Sequence, residues 1–97
     1  MHDVTHENLW AAIDDLARRH GLSPSALARC SGLDATSFNR SKRWTAQGRT
    51  RWPSTESLAK VLRATGTSLT ELVQRIELME TRKVAPFQSA AHRTPAA

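Results

Sequence analysis

The sequence predicts an all-α fold, and three observations carry that reading. Apolar residues recur at helical spacing in several separate stretches. Residues that cap helices stand just ahead of those stretches, and glycines stand just behind them. Alternating apolar runs joined by hairpin turns, which would announce a sheet, are absent from the sequence.

The first helix is expected over about Thr5 to His20. Leu9, Ile13, Leu16 and Ala17 fall on one face with Trp10 beside them, and Gly21 follows where a helix commonly ends. The second helix starts at Ser23 as N-cap with Pro24 in the first helical position, and Leu22 is placed to staple onto Leu27. Gly32 allows a tight turn. A third helix, about 34–42, is expected to repeat the pattern, with Asp34 as N-cap and Leu33 stapled to Phe38. The stretch "WTAQGRTRWP" from Trp44 to Pro53 reads as a long loop. Ser54 caps a fourth helix carrying Leu58, Val61 and Leu62, and Gly66 closes it. The fifth opens on a capping box of Ser68 and Glu71, followed by an apolar stripe of Leu69, Leu72, Val73 and Ile76 that reaches toward Met79. These helices fit one domain over residues 1–82. Residues 83–97 lose the period and read as a flexible tail or linker, with Val84 and Phe87 its candidates for a partner surface.

Charge is unevenly placed along the 97 residues. Residues 1–34 hold three basic and five acidic groups, and residues 56–97 hold six and four. Residues 35–55 hold Arg40, Lys42, Arg43, Arg49 and Arg51 with no acid, so this fifth of the chain equals the whole net charge of +5. A concentrated field of one sign attracts a polyanion better than the same charge spread evenly. A solvated basic loop is the plainer account of the same residues.

Several function classes lose support. The sequence offers no catalytic triad context and no glycine-rich phosphate loop, so an enzyme is not expected. His2 and His6 are four apart, but no cysteine or carboxylate cluster completes a metal site, and neither metal nor cofactor is expected. Asp14 and Asp15 point in different directions on a helix and are expected to form a solvated face. The single cysteine, Cys30, excludes an internal disulfide framework, fits a reducing cytoplasm and is expected to be packed. No run is apolar enough for a membrane span.

The two central helices have the layout of a helix-turn-helix. Ala28 is small enough for a helix crossing, Gly32 serves the turn four positions later, and Phe38 is the inward knob of the second helix. Ala28-x-x-x-Gly32 followed by Asp34 and Phe38 resembles the phage-repressor-like (Xre-type) helix-turn-helix domains, and the order and spacing agree from about Leu9 to Met79. The segments "LWAAIDDLARRHGLSPSALAR", "SFNRSKR" and "RWPSTESLAKVL" resemble the N-terminal part of bacterial repressors that join such a domain to a LexA-like self-cleaving serine peptidase. That resemblance implies a five-helix fold and a cytoplasmic, nucleoid-associated transcriptional repressor. Its partner would be double-stranded DNA, bound as a homodimer on a palindromic site. One departure is Ser41, where the family usually places a second apolar residue.

With the third helix in the major groove, Ala35, Thr36, Asn39, Arg40 and Arg43 are the candidates for base edges. Arg40 is the strongest of them, since a guanidinium can bond guanine O6 and N7 together. Ser23, Ser25, Ser37, Lys42, Arg49, Arg51 and Ser54 are the candidates for phosphate contacts. Ala28, Gly32, Leu33 and Phe38 form the motif's core. Trp44 and Trp52 are expected to pack the basic loop onto the domain rather than to stack on bases. The competing class is a protein-interaction module, such as an antitoxin-like partner protein, whose basic loop meets an acidic surface.

Overall fold

The computed structural model describes residues 4–80, so the tail expected over 83–97, with Val84 and Phe87, and the His2 of the discarded metal pair lie outside the described residues. The fold is all-α. Among the described residues, helices α1 (His6–Arg19), α2 (Pro24–Cys30), α3 (Thr55–Thr65) and α4 (residues 69–80) form, with one 3₁₀ turn at Arg40–Arg43.

α1 is the axis of the domain. Leu9, Trp10, Ala12, Ile13, Leu16 and Ala17 are all buried and together cover an apolar face of about 160° around the helix. Leu27 and Ala28 of α2, Phe38, Val61 of α3, and Leu72, Ile76 and Met79 of α4 close over it. The starts of the helices follow their sequence signals. Thr5, Ser23 and Ser54 each accept a hydrogen bond from the backbone N–H three residues on. Of the capping box at α4 the serine half forms, Ser68 accepting from the Glu71 N–H, while the Glu71 carboxylate pairs forward with Arg75 at 3.3 Å.

After α2 the chain turns at Gly32, whose φ of +77° is the left-handed conformation that side chains with a Cβ rarely adopt. There the Leu33 N–H reaches back to the Ala28 carbonyl at 2.9 Å and the Gly32 N–H to Arg29 at 3.0 Å, closing the free end of α2. Ala28 is fully buried where the helices meet, and Leu33 is half-buried against the core.

The expected third helix over 34–42 does not form. Asp34 starts a turn as its type suggests, accepting from the Thr36 N–H at 2.8 Å. The bonds that follow span three residues, Ser37 to Asp34, Asn39 to Thr36 and Lys42 to Asn39. Asn39 is extended at φ −64° and ψ 148°, which splits the stretch into a turn and the 3₁₀ segment. The cause is local. Thr36, Ser37, Asn39 and Ser41 have side chains that compete for backbone partners, and only Phe38 among residues 34–42 is apolar and large. Phe38 is nevertheless buried, edge-on to Trp10 with ring centroids 5.9 Å apart.

Three further expectations are corrected. Leu69 and Val73 do not join the core stripe of α4; they are 61% and 39% exposed, because the face toward α1 is taken by Leu72, Ile76 and Met79. Cys30 is exposed, on the outer side of a helix whose inner positions are Leu27 and Ala28. Asp14 and Asp15 do diverge by about 100° around α1, but neither belongs to a solvated face. Asp15 is buried and receives Arg18, Arg19 and, from α4, Arg75, each at 3.0–3.1 Å. Asn8, on the same edge of α1, donates from Nδ2 to Glu80, so a polar seam joins α1 to α4.

Burial favours the neutral acid at Asp15, but hydrogen bonds and charge from Arg19 and then Arg18 outweigh it and hold the carboxyl below its ordinary 3.8. A depressed folded value contributes stability that is complete above the unfolded pKa and is lost as pH falls through the folded one. Melting temperatures are therefore expected to fall below about pH 4, and Asp15→Asn should flatten that fall in an acid titration of thermal stability.

Candidate nucleic-acid interface

The basic stretch is held to α1 by three side chains one turn apart. His6, Trp10 and Asp14 lie at i, i+4 and i+8 on α1 and face residues 43–51. The His6 Nε2 donates to the Arg43 carbonyl at 2.8 Å and lies 3.1 Å from the Arg51 carbonyl. Both partners are acceptors, so that nitrogen carries the proton. Trp10 Nε1 donates to the same Arg51 carbonyl at 3.0 Å. Asp14 takes the Arg43 guanidinium through both carboxylate oxygens, at 2.7 and 2.9 Å.

Residues 43–51 are a narrow hairpin rather than an irregular loop. Trp44 and Thr50 form an antiparallel bridge, the Arg51 N–H bonds the Arg43 carbonyl, and the Thr45 N–H bonds the Arg49 carbonyl, both at 2.8 Å. Gly48, at φ +80°, closes the tip in the conformation a short hairpin loop requires. Arg49 and Arg51 stand two apart on the returning arm, both exposed.

Arg43 is corrected as a base-reading residue. Its guanidinium is buried, paired with Asp14, bonded to the Phe38 carbonyl at 2.9 Å and placed 4.5 Å from the Trp10 ring centroid. A guanidinium so engaged has no reach to a base. Arg40, Lys42, Arg49 and Arg51 are exposed and make no ion pair among the described residues.

Residues 36–42 run as a ridge between two open grooves. On one side Asn39 and Arg40 share a groove with Ser23, Ser25 and Arg18. On the other Ser37 and Lys42 share one with Arg51, Trp52 and Ser54. The structure thus gathers most of the candidates at one surface and leaves Arg49 farther out on the hairpin. Ala35 is half-buried beside the ridge, and Thr36 is exposed with its hydroxyl bonded to Asp34. That hydroxyl and the Thr36 N–H hold the Asp34 carboxyl below its ordinary 3.8. Ser23 and Ser54 spend their oxygens on capping, and Ser54 also gives its proton to Ser57 at 3.0 Å, so Ser23 keeps a hydroxyl proton to offer and Ser54 does not.

The organising residues His6 and Asp14 were not among the sequence candidates. Their one available signal was the i, i+4, i+8 alignment with Trp10, a second stripe on α1 beside the apolar one. Comparisons with protein-family models, with curated proteins and with solved structures find no match to this chain.

Proposed function

We propose that this chain binds double-stranded DNA with sequence preference, as the DNA-binding domain of a bacterial transcriptional regulator. The reading rests on one observation: Arg40, Lys42 and Arg51, none of them in an ion pair among the described residues, occupy a single ridge and its flanks with several hydrogen-bonding side chains, within residues 35–55 that hold no acid. Arg40 and Asn39 are the base readers on this view, with Thr36 offering its methyl group. Lys42, Arg49, Arg51, Ser23 and Ser25 hold the phosphate backbone. The contact element is the turn and 3₁₀ ridge of residues 34–43, in place of the regular recognition helix of a five-helix repressor domain. Pairing of two copies on a palindromic site would draw on Leu69 and Val73, exposed one turn apart on α4.

Selection from a random duplex library is expected to enrich one short site. Arg40→Ala should weaken that site by about 1–3 kcal/mol while changing binding to random duplex little. A library that yields no preferred sequence would remove the selective part of the reading. The exposed Leu69, Val73 and Leu78 favour a second reading, a protein-interaction module with incidental affinity for DNA. Its mark would be a ratio of selected to random binding near one, with steep salt dependence.

A further inference from the structure

Trp44 and Trp52 do not complete the packing role their residue type suggests. Each keeps 47% of its surface exposed, while Trp10 is buried. His6 stands between them, edge-on to both, with ring centroids at 5.0 Å from Trp44 and 5.8 Å from Trp52. That imidazole is itself fixed by its bonds to the hairpin backbone, so a held ring stands between the two indoles, each of which keeps about half of its surface in solvent.

Cations flank both open indoles. Arg40 lines the cleft of Trp44, where the acids are Glu7 and the Asp14 already committed to Arg43. Lys42 and Arg51 line the groove of Trp52, whose walls carry no acid. A protein or membrane partner would gain from an apolar border around such aromatics, and the border here is charged and polar, with cations alone at Trp52. Paired bases in a duplex are stacked on their neighbours and cannot lie on an indole; unpaired bases can, and their phosphates suit the adjacent cations.

We infer that Trp44 and Trp52 are stacking platforms for the unpaired bases of a single-stranded nucleic acid, with Arg40, Lys42 and Arg51 holding its phosphates. The inference goes beyond the duplex reading: it shares Arg40, Lys42 and Arg51 with it, but it needs the indole faces, on which paired bases cannot lie.

The test titrates the full chain with a thymidine oligomer of about 12 nucleotides and with an abasic strand of equal length, at one salt concentration. Tryptophan emission and anisotropy are followed together. The thymidine strand is expected to quench the emission and to bind about tenfold more tightly than the abasic strand, which has the same phosphates and nothing to stack. A uridine oligomer of the same length shows whether RNA or DNA is the better source of those bases, and tighter binding of either over the abasic strand supports the inference. The double variant Trp44→Leu, Trp52→Leu, with its fold checked by circular dichroism, should bind the thymidine strand no better than the abasic one. Equal affinity of the unaltered chain for the thymidine, uridine and abasic strands overturns the inference, whether or not the double variant folds. So does a folded double variant with undiminished preference for thymidine.

Discussion

Replacing Arg43 with alanine is expected to destabilise the domain by about 3–5 kcal/mol, the range for removing one partner of a buried ion pair. The Arg43 side chain is 6% exposed, and its two terminal nitrogens meet both oxygens of Asp14. One of them also bonds the Phe38 carbonyl, and the cation lies over the Trp10 ring. The substitution removes all of these at once and leaves a carboxylate and a carbonyl without partners. Asp14 is 25% exposed, so water would partly resolvate it, which places Arg43→Ala toward the lower end of the range. Asp14→Ala should cost more relative to the contacts it makes, since it leaves the more deeply buried cation unpaired. The two together should cost less than the sum, because the second removal relieves the charge stranded by the first. Arg43→Lys should not rescue, since an ammonium cannot form the two-pronged contact. Urea unfolding of the four variants measures this. An Arg43→Ala midpoint no lower than that of a surface change such as Arg63→Ala would show that the buried pair does not anchor the ridge.

Much of the helical framework was legible because its causes are local. Thr5, Ser23, Ser54 and Ser68 cap helices within three residues of their own position, and the core positions of α1, α3 and α4 repeat at helical spacing. What was not legible depends on distant partners. Arg43 looked like one more exposed cation because Asp14, which buries it, lies 29 residues away. Asp15 looked solvated because Arg75 lies 60 residues away. The 34–42 stretch held a conflict that the sequence did display: an acceptable N-cap and one apolar knob, against four side chains that favour turns. The N-cap at Asp34 points to a helix, whereas Ser41 lacks the apolar side chain that would carry one through. The basic cluster was visible as composition. Its division into one structural and four free cations was not, since composition does not say which way a side chain turns.

That division makes a quantitative prediction about binding. If Lys42, Arg49 and Arg51 are the groups that meet duplex phosphates, with Arg40 kept for base edges, three charged contacts should give a slope of about −2.7 in log affinity against log salt. Affinity for random duplex would then fall roughly fortyfold between about 50 and 200 mM salt. Removing Arg49 or Arg51 alone should flatten the slope by about one, equally for selected and random sequences. Replacing all four with alanine should abolish most of the salt dependence and the measurable affinity with it, while leaving the melting temperature near its original value, because none of the four is buried or ion-paired among the described residues. An Arg43 variant should behave the opposite way, losing stability first, since its charge is already spent on Asp14. The pair of measurements therefore separates contact from scaffold. A four-alanine variant that kept the full slope would place the polyanion on another face, and a slope steeper than about −4.5 would mean that cations outside residues 35–55 also take part.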